Sequence, residues 1–519
     1  MESKSIHLVN IAVPYREGFA NMKRPPAGIL YVGGHLKKHG FHVIIHHILR
    51  EEIAKTVRQI ISDNSLLFAG FSLMTGKQVT FSAEMSSMIK SLSSEVVVVW
   101  GGVHPSLMPK ECLAFSFVDY VVIGEGEITA LELAQYLSVK GSQSRLQDVA
   151  DTQSLTEHNQ ASQKMFVLDE IHGLGFKRKD KCILTPERAF EKDIDTFRQD
   201  WDLIDPNRYV RCYWKGEKVF FFITSRGCPH SCGFCYNLKF NRRRWRAHSP
   251  EFVINELLAI QKRTGIDTVC FPDDNFFTNK KRALHILHEL KKHGISCRWV
   301  EIRADEITED LISELAELGL ETIVVGWESG SQKTLDAISK KLTPQMILEA
   351  TRILSKFKNI TFDASAIIGF PWEDEHDINE TIALALKMFE IKPFKFNVNL
   401  GIYLPFPGAP ITVDAIAQGL EFPKDPDGWL KFDRLSGEME LPWMNKSQIK
   451  KYTVINKYFN LLYVFPLRFP LKQIAYIVAI LSYIRLKTRV IFFPFEIWLT
   501  DMFKKEVYKG RLRLKKDYS

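Results

Sequence analysis

The sequence predicts an α/β fold with two sheet-bearing parts: a doubly wound parallel sheet, then a partial (β/α)6 barrel of TIM type. A helical region follows the barrel. Three observations predict this. Apolar runs of strand length alternate with helix-length amphipathic segments through most of the 519 residues. Glycine and short polar residues collect just past the strands, where both architectures keep their ligands. Three of the eight cysteines, Cys228, Cys232 and Cys235, gather after one such strand.

The first part covers residues 1–140. Strands are read at 6–13, 41–46, 67–72, 96–100 and 120–123, with helices at about 29–39, 51–61 and 79–92 and another ending near 137. The strands are apolar almost throughout, as parallel strands covered on both faces are. In such a sheet the ligand crevice lies at the carboxyl ends of the strands. Its corners are 25–28, 70–76, 101–106 and 124–127, where glycines let a large planar or phosphate-bearing ligand approach the backbone. No G-x-G-x-x-G run follows the first strand, which argues against a dinucleotide. Residues 141–162 are polar and read as a linker, within a bridging segment of 141–215.

The barrel is read over 216–420. Its first strand, 219–224, is followed by Gly227 and the cysteines. Ser249, Pro250 and Glu251 form a helix start: a cap, a proline in the first turn and an acid. Further strands are read at 268–271, 297–302, 322–325, 360–368 and 396–403, with helices at about 250–262, 280–293, 308–318 and 343–357. About six strands make an incomplete barrel.

The C-x3-C-x2-C spacing offers three thiolates to a compact metal site. A four-iron cubane held this way keeps one iron open, whereas four cysteines would close it. A structural zinc would want a fourth Cys or His, and His230 inside the triad would strain one short loop. Zinc and a closed cluster remain as alternatives. The run from Thr224 to Tyr236 resembles the signature of radical S-adenosylmethionine (SAM) enzymes, with Phe234 as the aromatic before the last cysteine. The resemblance spans about 220–410. It implies a 4Fe–4S cluster on Cys228, Cys232 and Cys235 whose open iron SAM chelates. It also implies SAM contacts at Phe234, at Pro272, Asp273 and Asp274 after the second strand, at Glu328 and Ser329 after the fourth, and at Ile368, Gly369 and Phe370 after the fifth. Arg303, after the third strand, is counted with these SAM contacts, being suited to a carboxylate.

The corners of the first part are similar to the Rossmann-like cobalamin-binding domains fused to such barrels. That implies cobalamin contacts at Pro26, Gly28, Ser72, Thr75, Gly76, Gly101, Gly102, His104, Ser106, Gly124, Glu125 and Gly126. The usual D-x-H-x-x-G motif is absent, so no histidine from it binds cobalt; His104 is read as ordering its own loop. The alternative is a domain that has lost its ligand and only docks on the barrel.

Together the resemblances imply a cobalamin-dependent radical SAM enzyme. It would methylate an unactivated carbon or phosphorus centre of a small molecule or lipid, with a reductase, flavodoxin or ferredoxin as electron donor. The alternatives are radical oxidation or cyclisation without methyl transfer, as in the anaerobic porphyrin cyclase, and a non-catalytic iron–sulfur and corrinoid sensor. Scattered cysteines exclude a disulfide framework, and no signal peptide is read, so a reducing cytoplasm is expected. A net charge of +8 is too diffuse to argue for nucleic acid, and the run Arg242, Arg243, Arg244, Trp245, Arg246 suits acidic groups of the barrel or substrate. The region 421–519 is helical, aromatic and basic. Its apolar run at 473–484 is too short to span a bilayer. It reads either as a cap over the barrel with a solvated tail or as a peripheral contact with the inner face of the membrane.

Overall fold

The computed structural model describes residues 4–13, 24–147, 167–179, 181–212, 216–432, 440–463, 471–491, 494–498 and 500. They fall into two compact units. The first gathers 4–13, 24–208 and 422–432; the second gathers 209–421 and the described residues from 440 onward.

The first unit is built on a seven-stranded sheet. In chain order its strands are β1 (Ser5–Ile11), β2 (His42–Ile48), β3 (Leu66–Ser72), β4 (Val98–Gly101), β5 (Tyr120–Val122), β6 (Leu174–Arg178) and β7 (Lys181–Leu184), arranged β2-β1-β3-β4-β5-β6-β7. The first five are parallel, and β6 and β7 add an antiparallel edge. This edge comes from the stretch read as a bridge. Ile6, Leu8, Phe68, Val99 and Val122 form the core with Ile29, Leu36 and Leu133 from the flanking helices. The strand order reverses between β1 and β3, so the crevice opens at their carboxyl ends.

The second unit carries β8 (Arg211–Cys212), β9 (Lys218–Phe221), β10 (Ser225–Arg226), β11 (Arg246–Ala247), β12 (Thr268–Phe271), β13 (Ser296–Glu301), β14 (Thr322–Glu328), β15 (Thr361–Ile368) and β16 (Phe396–Ile402). The main sheet runs β16-β15-β14-β13-β12-β9-β8, and all neighbours but β8 are parallel. Six parallel strands thus make a curled half-barrel, with β16 and β8 at its edges. Helices Pro250–Thr264, Lys280–Lys292, Glu309–Glu317, Pro344–Ser355 and Glu375–Ile391 cover its outside. Each has a polar residue at its start whose side chain accepts a backbone N–H: Ser249, Asn279, Thr308, Thr343 and Asp374. Helices Lys446–Leu462 and Leu471–Thr488 complete the unit.

Candidate active site at the strand ends

The cysteine loop is fastened at its base by protein groups. β10 and β11 pair antiparallel and bring the two ends of the loop together. Gly227 sits between them at φ +81°, and a Cβ there would collide with the Arg244 carbonyl, so only glycine fits. Asp273, at the end of β12, is fully buried. Its carboxylate accepts the Thr224 N–H at 3.1 Å, the Thr224 hydroxyl at 2.8 Å and the Ser225 hydroxyl. Burial pushes its pKa up to about 6 against the pull of these donors. Arg282 clamps the other side, donating to the carbonyls of His248 at 2.8 Å and Thr224 at 3.0 Å.

Within the loop, Cys228, Cys232 and Cys235 are half-buried and unpaired with one another. Burial raises the Cys228 thiol, and raises Cys235 to about 12; Cys232 adds to both shifts, and Cys228 adds to that of Cys235. Cys232 also acts on Arg303 and Lys340, so the three thiols share one neighbourhood at the strand ends. Cys270 and Cys297 are buried in β12 and β13 and influence each other.

Other residues at the strand ends brace the mouth. Pro272 is half-buried at the exit of β12. Asp274 is exposed by area yet deep among protein atoms, as a group lining a concavity is; it takes hydrogen bonds from Asn237 and the Gly227 backbone. Arg303 spends its fork on Asp305, at 2.9 and 3.1 Å, and on the Lys340 carbonyl at 3.0 Å. Glu328 ends β14 at φ +67°, unusual for a residue with a Cβ, and Lys340 donates to it at 2.7 Å in a buried pair. Ser329 shares a hydrogen with Thr381 at 3.0 Å. Ile368 ends β15, buried, and Gly369 turns the chain at φ +79°. Glu373 accepts the N–H groups of Gly369 at 2.6 Å and Phe370 at 3.1 Å, and Trp443 donates to the Gly369 carbonyl at 2.9 Å. Phe370 is buried against Trp372 and Tyr403, with the half-buried Phe234 ring 6.4 Å away. The residues picked from sequence therefore do gather at one end of the sheet. However, the charged groups of Asp273, Arg303 and Glu328 are directed to protein partners.

The sequence reading missed Lys340 and Glu373. Lys340 carries no local signal, being tied to Glu328 only in space. Glu373 could have been found as a carboxylate four residues past a turn glycine, placed to collect its N–H groups.

In the first unit the crevice residues also converge. Pro26 and Gly28 start helix Ala27–Lys38, and a Cβ on Gly28 would lie 3.6 Å from the Ser72 hydroxyl. Gly102 has φ +95°, and a Cβ there would come within 2.9 Å of the Leu73 backbone. Ser106 accepts the Gly124 N–H at 2.8 Å and donates to the Gly102 carbonyl at 2.6 Å, stitching the ends of β4 and β5. Gly101 closes β4, and Glu125 and Gly126 lead from β5 into the helix Gly126–Gln147. Gly124, at φ +82°, faces open space. His104 is buried, bonded through Nδ1 to the Thr75 hydroxyl at 3.1 Å and set edge-on to Trp429, ring centres 4.6 Å apart. Burial lowers its pKa to about 3. Trp429 belongs to residues 422–432, which the sequence reading gave to the C-terminal region. Thr80 holds this segment through the Pro426 carbonyl at 2.6 Å, and Gly76 faces the Phe432 carbonyl.

Residues 222–385 match the family model of the radical SAM superfamily, and residues 20–134 match that of the B12 binding domain. An uncharacterized methyltransferase of Pyrococcus horikoshii is 30% identical over 439 residues, covering 82% of this chain and 85% of that protein. The chain belongs to the cobalamin-binding radical SAM family. This radical SAM protein is also 25% identical over 371 residues to the anaerobic magnesium-protoporphyrin IX monomethyl ester cyclase of Rubrivivax gelatinosus, covering 70% of its own length and 62% of the cyclase. It shares its fold with the radical SAM methyltransferase TsrM of Kitasatospora setae, solved with cobalamin and an iron–sulfur cluster, at a TM-score of 0.61 and 17% identity over 80% of this chain and 75% of that one. An iron–sulfur cluster, SAM and cobalamin are therefore the cofactors of this radical SAM enzyme. Three unpaired thiols on one loop fit the first, and the glycine cradle with open space at Gly124 fits the last.

Proposed function

We propose that the protein is a cobalamin-dependent radical SAM methyltransferase that methylates an unactivated carbon or phosphorus centre of a small molecule or lipid. When bound, the reduced cluster and SAM supply a hydrogen-abstracting radical, and cobalamin supplies the methyl group. Cys228, Cys232 and Cys235 hold the cluster. Asp273, Asp274 and Arg282 hold the loop that presents them. Lys340 holds the Glu328 carboxylate at the end of β14, where the Glu328–Ser329 segment meets the ribose or methionyl end of SAM. Glu373 turns the N–H groups of Gly369 and Phe370 inward, which fixes the bend on which adenine rests beside Phe234. The crevice from Gly28 to Gly126 takes the corrinoid, and His104 orders its own loop beneath Trp429. An external flavodoxin, ferredoxin or reductase supplies the electron.

The observation that carries this reading is the conjunction, in one chain, of three unpaired thiols on one loop at the strand ends and a glycine-lined crevice at a strand-order switch point. The relatedness to the porphyrin cyclase favours one second reading, radical oxidation or cyclisation without methyl transfer. Anaerobic protein loaded with iron, sulfide and cobalamin, reduced and given SAM in an extract of cells lacking it, separates the readings. A methyltransferase yields S-adenosylhomocysteine and 5′-deoxyadenosine in comparable amounts. Deoxyadenosine alone would move the reading to oxidation or cyclisation, and neither product would make the protein a sensor.

A further inference from the structure

Helix Leu471–Thr488 is apolar on two faces, and only one of them is covered. On the inner face Val478, Ala479 and Leu486 are buried, and the rings of Tyr476 and Tyr483 lie 4.8 Å from Phe394 and 5.4 Å from Phe389. On the outer face Ile474, Ile477, Ile480, Leu481 and Ile484 are 42–59% exposed. Their spacing of three and four residues makes them one stripe. Just beyond, Phe495 and Trp498 are 59% and 60% exposed with ring centres 6.1 Å apart. That turn is tied to the helix by Arg485, which donates to Glu496 at 2.7 Å.

A helix apolar all round is ordinarily buried or within a membrane. No helix among the described residues is long and apolar enough to cross one. With its inner face fixed to protein, this helix can only present its stripe sideways. Charge chooses the occupant. Lys487 at the end of the helix is paired with Glu390, Arg489 follows it, and residues 501–519 carry seven Lys or Arg against three Asp or Glu. Anionic lipid complements this excess of positive charge, whereas a second copy carries the same excess. We propose that the outer face of this helix, with Phe495 and Trp498, seats on the headgroup–acyl boundary of an anionic bilayer.

The test is flotation of the full-length, cofactor-loaded protein with vesicles of phosphatidylcholine containing one-third phosphatidylglycerol. The protein should float with them about tenfold more than with phosphatidylcholine alone, and less as salt rises. Ile477→Glu, Ile480→Glu and Ile484→Glu combined should cut binding by about tenfold or more, since charges there oppose insertion. These positions face solvent, and an unchanged circular dichroism spectrum confirms the fold. Deleting residues 501–519 should reduce the preference for anionic lipid. Protein that stays in the dense fraction at low salt overturns the proposal. So does a triple variant that floats like the parent, or a dimer in solution that the triple variant dissociates, because a second copy then covers the stripe. SAM chemistry plays no part in the readout, so this result and that of the methyl-transfer test stand apart.

Discussion

Replacing Lys340 with methionine should unsettle the end of β14 far more than losing one surface charge would. Lys340 Nζ lies 2.7 Å from Glu328 Oε1, with the two side chains only 7% and 9% exposed. At an effective dielectric of 20 their attraction is about 6 kcal/mol, most of it offset by the cost of burying both charges. Burial by itself would lower the Lys340 ammonium, and the Glu328 carboxylate more than reverses that, so its pKa is raised. Removing only the lysine strands a carboxylate held at φ +67°. Breaking a buried pair in this way costs about 3–5 kcal/mol. Lys340→Met with Glu328→Gln leaves no uncompensated charge and should recover most of the loss. The assay is urea denaturation of the two singles, the double and the parent under anaerobic conditions, with SAM binding measured in parallel by equilibrium dialysis. Lys340→Met within about 0.5 kcal/mol of the parent would refute the reasoning, since even modest surface changes reach that size. A double variant no more stable than Lys340→Met would refute it equally.

Three further outcomes are expected. Alanine at Cys228, Cys232 or Cys235 should abolish iron retention and SAM cleavage, while alanine at Cys112, Cys182, Cys212 or Cys297 should leave iron content unchanged by colorimetric assay. Burial pushes Glu373 up to about 7, so it favours the folded state fully below its ordinary carboxylate range and loses that contribution as pH rises toward 7; Glu373→Gln should flatten the fall in melting temperature between about pH 5 and 7, worth on the order of 1–3 kcal/mol. Trp429→Ala should destabilise the first unit by about 3–5 kcal/mol and weaken corrinoid retention, while cobalt(II) resonance spectra should lack nitrogen splitting from His104 in the parent and be unchanged in His104→Ala.

Much of the fold is legible in the sequence because the strands are short apolar runs ended by glycine or polar residues. The run 268–271 coincides with β12, and six parallel strands stand where six were read. The helix Glu375–Ile391 escapes that reading although Ile378, Ile382, Ala385 and Phe389 recur at helical spacing along its buried face. The strands β6 and β7 and the segment around Trp429 escape it for another reason. They join the first unit through partners far along the chain, Leu174 against Val122 and Trp429 against His104, and spacing along the sequence records none of this. The same limit divides the candidate site. Which residues stand at the strand ends follows from local pattern, but where a charged group points follows from its partner. Asp305, Lys340 and Thr224 decide that for Arg303, Glu328 and Asp273.

The base of the cysteine loop separates two jobs along the chain. The β10–β11 ribbon, the Asp273 carboxylate and the Arg282 guanidinium hold the ends of the loop, while the cysteines lie between them. A substitution at Asp273 or Arg282 therefore loosens the carrier of the thiols without altering a single sulfur, and a damaged site can arise from residues that are not themselves ligands.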